Sequence, residues 1–468
     1  MRSRTRTATF AVAVALVAAG CSGGGDDTDS GGGGGGDNSL TVWTIEDVQD
    51  RVTAQKKMAE AFSQQTGIKV NVVAVAEDQF DQTITSAAAA DTLPDVIAAL
   101  PLSPLRTLQS GDLLDTDTAK KIVDDLGADT FAPSSLTLTR DGDKQLGVPS
   151  DGWAQLLVYR KDLFQAAGLQ PPTTYEAIEK AAQTLNGKNG VAGITLATAP
   201  GAAFTEQSFE FIAEANGCEL VDKDKNVTLD SPQCVRAFDL YGKLARDYSV
   251  KGNQTDDSTR ATYFAGKAGM LIWSSFLLDE LAGLRNDALP SCPQCKADKA
   301  YLAKNSGVIT AIQGPDGSKP SSFGEVVSWA TTTSAPKEQA AKFVEYMLSD
   351  KYQDWLAIAP EGKVPTRQGT KAGDTSYLTG WQKLKAGVDT KAPLSQYYGP
   401  DVLKAVQESP ETFNRWGLPE GQGALVGAMQ GPLPIPKALS DLINGKGDAA
   451  GAASAAQKAV KDLQKDLN

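Results

Sequence analysis

Histidine is absent from the 468 residues of this chain, and with it goes most acid–base and metal chemistry. Without an imidazole there is no Ser-His-Asp or Cys-His nucleophile system and no HExxH metalloprotease site. Ser334-Ala335-Pro336-Lys337 has the S-x-x-K spacing of acyl-transfer enzymes, but no KTG or SDN companion exists, and a helix cap is the better role. Gly266-Lys267 lacks the upstream glycine of a P-loop, and Gly421, Gly423 and Gly427 are spaced one residue too long for a dinucleotide fingerprint. Cys292-Pro293-Gln294-Cys295 has the spacing of a redox pair or half a zinc site, yet it lies in loop-like, proline-rich sequence. With Cys218 and Cys234 it reads as two local disulfides, Cys218–Cys234 and Cys292–Cys295, a four-thiolate zinc site being the alternative. Carboxylate pairs of glycosidase type can be found in any chain with 57 acids, and nothing further supports them. No catalytic residue, metal ligand or cofactor is assigned.

What the sequence does supply is the chemistry of holding a polyol. Sugar faces are weakly apolar and stack on flat rings, while their hydroxyls need charged or amide partners that outcompete water. Seven tryptophans are the natural platforms. Trp43 ends an apolar strand, where open α/β sheets bind ligands, and Glu46 and Asp47 follow on the same loop. These two acids would equally suit the first turn of a helix.

The elements behind these residues alternate. Leu40 to Trp43 reads as a strand, Asp47 to Thr66 as a helix ending at Gly67, Ile68 to Val75 as a second strand, Phe80 to Ala90 as a helix, and Pro94 to Ile97 as a third strand. That order predicts parallel βαβ units. Farther on, Thr173 and Glu176 have capping-box spacing ahead of a helix whose inner face is Ile178, Ala181, Ala182 and Leu185. Ala192 to Leu196 is expected to be a strand and Phe204 to Ala215 a helix. Ser334 is expected to cap a helix carrying the stripe Ala340, Phe343, Val344, Met347 and Leu348. Trp329, Trp355 and Trp381 are assigned to packing, and the Ala- and Lys-rich end from Ala449 to a surface helix.

The N-terminus reads as a targeting segment. Arg2, Arg4 and Arg6 precede an apolar run from Ala8 to Ala19 that is short for a membrane span. Ala18-Ala19-Gly20-Cys21 then resembles a lipobox with Ala in place of the usual Leu, making Cys21 the lipidation site. Residues 1–20 are thus a signal peptide and 21–39 a glycine-rich tether, with a root-mean-square span of roughly 20–25 Å. The net charge of −12 argues against a nucleic-acid partner.

The stretch GVPSDGWAQLLVYRKDLFQAAGL from Gly147 has companions at Pro171 (PPTTYEAIEKAAQTL), Tyr263 (YFAGKAGMLIW), Thr333 (TSAPKEQAAKFVEYMLSDKYQDWL) and Gly362 (GKVPTRQG). In this order they resemble the sugar-capturing solute-binding lipoproteins of bacterial ABC importers, over roughly Leu40 to Trp416. The resemblance implies an α/β, periplasmic-binding-protein-like fold of type II, with two lobes joined by a multi-strand hinge. Lobe 1 would comprise 40–150 and 275–333, and lobe 2 151–274 and 334–468. It places Asp151, Trp153, Trp273 and its neighbour Phe276, the loop Gly324-Glu325, and Arg367 at the ligand. Glu325 stands where the family often has a second glycine, and Arg160 where it commonly has Asn. The implied partners are a sugar or oligosaccharide and the permease subunits, with the membrane reached through the lipid anchor; a monomer and no catalysis are expected. Alternatives on the same fold are an iron binder, suggested by Tyr397-Tyr398, a polyamine binder or a sugar sensor; a surface glycosidase is the enzymatic alternative.

Overall fold

Residues 38–76 and 79–467 are described in the computed structural model, the side chain of residue 81 excepted; the signal segment, Cys21 and the tether up to residue 37 lie outside them. Ser39, the last tether residue by sequence, already opens the first strand. Strands β1 (Ser39–Thr44), β2 (Lys69–Ala74) and β3 (Val96–Leu100) are parallel, with β1 in the middle. The helix Gln49–Thr66 returns the chain from β1 to β2, burying Val52, Met58, Ala59 and Phe62, and Gly67 ends it in the left-handed region at φ 74°.

The sheet is completed by strands from later in the chain. These are β4 (Val148–Arg160), β5 (Met270–Ser274), β6 (Ser306–Ile309), β7 (Ser322–Thr331), and the two-residue β8 (Val364–Pro365) and β9 (Phe413–Asn414). β7 runs antiparallel to β3 and so joins the N-terminal strands to the rest. β4 is the shared member: its Val148–Ala154 half pairs with β7, and its Gln155–Arg160 half pairs with β5 and β6. Every residue of β7 is buried, and so are eleven of the thirteen residues of β4, all but Trp153 and Tyr159.

Several local expectations shift once long-range contacts are present. The helix expected from Thr173 starts at Tyr175, and Thr174 caps it by accepting from the Ala177 N–H, so the Thr173–Glu176 box does not form. A bridge from Thr174 to Gln313 fixes that entry point. Ser334 is not a cap: the helix runs Lys337–Leu348 after Pro336, and Ser334 hydrogen-bonds to Thr332 instead. Ala192 to Leu196 forms only isolated bridges to Ala268 and Leu271. The stripe from Ala340 to Leu348 is buried as expected, as are Trp329, Trp355 and Trp381. The last helix, Ala449–Asp466, buries Ala452, Ala453, Ala456 and Val460, and its Gln457 ties the backbone of Val227 and Leu229. No described helix is long and apolar enough to cross a membrane.

Both disulfides are formed, Cys218–Cys234 and Cys292–Cys295, and all four sulfurs belong to buried residues. Cys218–Cys234 closes a loop of 16 residues at the start of the helix Pro232–Asp247. Chain entropy assigns such a loop about 3 kcal/mol. Replacing both cysteines with alanine is therefore expected to lower the unfolding free energy by about that amount in a urea titration; an unchanged midpoint would rule out the contribution.

Candidate functional site

A cleft of about 460 Å³ opens beside the point where β4 changes partners. Its walls come from the loop after β1, the β4–β7 pair, the end of β5, and the helices Ala203–Ala215 and Asp256–Phe264. Alternation along β4 puts Asp151 and Trp153 on one face, and the register sets Trp153 opposite Glu325. Gly152 between them is required by close approach. A Cβ there would stand 2.7 Å from both the Glu325 carbonyl oxygen and the Phe413 ring.

Six of the residues singled out in the sequence meet in this cleft: Glu46, Asp47, Asp151, Trp153, Trp273 and Glu325, with Phe276 beside them. Three do not line it. Trp43 is half-buried in a separate shallow depression with Gln79, Gln82 and Ser86. Gly324 packs under Phe413, where a Cβ would come within 2.1 Å of the ring. Arg367 is 1% exposed, and its guanidinium donates to the Leu348 and Leu126 carbonyls (2.8 Å to the latter) and to Thr130 Oγ1 (3.2 Å). It caps two helix C-termini, whose last carbonyls have no partner of their own. Of the tandem tyrosines, Tyr398 is buried and its hydroxyl donates to the Leu278 carbonyl (2.7 Å), away from the cleft.

Two ion networks build the floor, and sequence reasoning missed their basic members. In the first, Lys363 stands 2.6 Å from Glu46 and 3.2 Å from Asp151, with its ammonium 4.2 Å from the centre of the Trp355 ring. Ser150 Oγ and the Trp355 indole N–H both donate to Asp151 at 2.6 Å. Arg51 reaches Glu46 at 2.9 Å and Glu361 at 3.6 Å and lies over the Phe276 ring. Burial by itself would raise the Glu46 carboxyl, but Lys363 and then Arg51 overcome it and hold it at about 2. Burial wins at Asp151, which lies above the usual carboxylate range with Lys363 pulling against it. Glu46 holds its charge the more firmly because it has the nearer ammonium and a second cation.

In the second network Arg415 bridges Glu325 and Glu210 (3.1 Å to the latter) and lies over the Phe323 ring. The Leu102 N–H donates to Glu325 at 2.7 Å, and the Trp416 N–H to Glu210 at 2.9 Å. Glu206, Glu210 and Glu214 recur every four residues along one face of the helix Ala203–Ala215, all buried, with one oxygen of Glu206 lacking a partner. Glutamates at that spacing among Phe204, Phe209, Phe211 and Ile212 were the signal available in the sequence.

The open wall is aromatic. Trp273 is 7% exposed, its indole N–H donates to the Asp256 carbonyl (3.1 Å), and its ring meets Arg260 at 5.4 Å and Phe204 at 5.9 Å. It is a braced plate. Trp153 is the freer ring, half-buried, tilted against Phe323, with no described partner for its N–H. Arg260 is held by Glu280 (2.9 Å) and Asp257 (2.5 Å). Burial raises Glu280 to about 7, with Arg260 and Arg285 pulling against it and Asp287 and Glu361 pushing with it.

A mixed sheet with one strand shared by two groups of partners, beside an aromatic and acid-lined cleft, defines a ligand-capturing protein of the periplasmic-binding type. The chain belongs to the bacterial extracellular solute-binding protein family, whose pattern matches residues 46–354. It is 24% identical over 427 residues to the putative ABC transporter periplasmic-binding protein YcjN of Escherichia coli, covering 89% of this chain and 90% of that one. Among solved structures it is similar to the GacH receptor of Streptomyces glaucescens, at a TM-score of 0.69 and 20% identity over 92% of this chain and 98% of that one. A sugar transporter of Arthrobacter chlorophenolicus solved with laminaribiose gives 0.68 and 18%, covering 91% and 99%. These likenesses establish the type II periplasmic-binding-protein-like fold expected from the sequence.

Proposed function

We propose that the protein captures a sugar or oligosaccharide in this cleft and hands it to the membrane subunits of an ABC importer, without catalysis. The carrying observation is the co-location of Trp153, Trp273, Phe204 and Phe276 with polar groups left open to a ligand, among them the Gln207 amide and the Ser274 hydroxyl. Two lobes would close over the ligand about β4 and β7, the closed state gaining from contacts to both walls. The relatives support the ligand class, since solved neighbours carry acarbose, laminaribiose and maltose. The acids of the floor fit binding better than bond-breaking. Glu46 and Glu325 are not free to serve as the acid and base of glycoside hydrolysis, because all four of their oxygens are engaged. Export under the N-terminal signal, with Cys21 lipidated at the outer face of the membrane and the chain acting as a monomer, completes the proposal.

A thermal-shift screen of mono- and oligosaccharides tests it, because a ligand at about 100 times its dissociation constant adds about 2.7 kcal/mol. Trp153→Ala is expected to weaken the best sugar by tenfold or more in calorimetry while the far-ultraviolet dichroism stays unchanged, since the ring is half-buried at the cleft wall and would act by stacking on the sugar face. Equal affinity in the variant, or silence across the screen, would end the proposal.

A further inference from the structure

The charges around the cleft do not balance in kind. Each base that lines it is in an ion pair: Arg51 with Glu46, Arg260 with Asp257 and Glu280, Arg285 with Asp287 (2.7 Å), and Lys363 with Glu46 and Asp151. The acids are not all matched. Asp47, on the loop after β1, and Asp256, at the start of its helix, line the cleft, are exposed, and have no side-chain partner among the described residues. Glu280, also lining the cleft and 2% exposed, keeps one oxygen without any hydrogen bond. Just beyond it Asp279 is fully buried with both oxygens unpartnered and Glu361 leaves one oxygen bare, but burial pushes both toward the neutral acid, so they add no charge facing a ligand. Among the fully buried guanidinium nitrogens of the described cleft residues, the Arg51 Nε–H lacks an acceptor. A neutral polyol would leave the charges of Asp47 and Asp256 uncompensated and the bare Glu280 oxygen unmet; a ligand with N⁺–H donors would answer both.

We infer that the cleft favours a sugar carrying a cationic amine over its neutral or acidic counterpart, which rests on the sugar-capture proposal above. The amine would lie toward Asp47, Asp256 and Glu280, and the unsubstituted ring faces against the aromatic wall. Amino, N-acetylamino, hydroxyl and uronic acid forms of the same mono- and disaccharides, glucose- and galactose-based, form the test panel for calorimetry on the intact mature chain. The amino form is expected to bind roughly tenfold tighter than the hydroxyl form, as two or three partly screened charge pairs allow. The N-acetyl form, uncharged, should lose that gain, and the uronic acid form should be weakest. Raising the salt to 1 M, where the Debye length is about 3 Å, should erase the preference and leave neutral-sugar affinity in place. In Asp256→Asn and Asp47→Asn the ratio of amino to hydroxyl affinity should fall toward one, whatever happens to the absolute values. A neutral or acidic sugar that binds as tightly as the amine, or an amine preference untouched by salt and by both substitutions, would overturn this inference and leave sugar capture standing. No binding by any member of the panel would overturn both.

Discussion

Replacing Lys363 with alanine is expected to destabilise the protein by about 3–5 kcal/mol, because it leaves buried carboxylates without their shared counter-ion. Lys363 is 1% exposed, and Glu46 and Asp151 are 8% and 0% exposed. Removing the ammonium leaves Glu46 to Arg51, and Asp151 to the Ser150 hydroxyl and the Trp355 N–H. Urea titration at pH 7 measures the loss. Glu46 fixes the sign of the pH effect: its folded carboxyl is held at about 2 against 4.5, so its share of stability is present above 4.5 and fades as pH falls toward 2. The gap between wild type and variant should narrow over that interval. A double variant with Asp151→Asn added should recover part of the loss, since a neutral amide needs no counter-ion and Glu46 keeps Arg51. A loss under about 1 kcal/mol in Lys363→Ala would show that water reaches these acids and that the network is not buried as described.

Glu206→Gln is expected to act in the opposite sense. Burial, reinforced by Glu210 and opposed by Arg415, raises the Glu206 carboxyl to about 8 from 4.5. A carboxyl raised on folding contributes most when protonated, below 4.5, and that contribution is lost as pH climbs through 8. The wild-type chain should therefore lose stability between pH 5 and pH 8, and Glu210, raised to about 7, adds to the slope. A glutamine stays neutral and avoids the Glu206 part. The variant should match wild type near pH 5 and exceed it near pH 8 by an amount of order 3–5 kcal/mol. Urea midpoints at the two pH values decide the matter, and parallel pH profiles would sink the assignment of a proton to Glu206.

What the sequence conveyed and what it withheld divide along the distance a signal must travel. Strands β1 and β2 and the stripe from Ala340 to Leu348 were legible because their cause is local periodicity. The choice between Thr173 and Thr174 as a cap was not, since both threonines satisfy the local rule and the bridge to Gln313 settles it. Asp151, Trp153 and Trp273 were found because the family pattern runs through them. Lys363 was not, because its partner Asp151 lies 212 residues away and nothing local marks a lysine as buried. Trp43 and Trp153 look alike as letters; which face of the sheet each ring occupies depends on strand parity and on what covers that face. The amino-acid string also gave no hint that Arg367 turns inward to two helix ends, since an arginine on a loop usually faces water.

β4 acts as a beam through the whole molecule. Extracting it would strip β5, β6, β7 and β8 of a neighbour in one event, so melting one side while sparing the other is closed to this chain. Severing the backbone between Gly152 and Trp153 would hand each fragment half a beam and a row of raw edges, and such pieces would stick to one another before either matured alone.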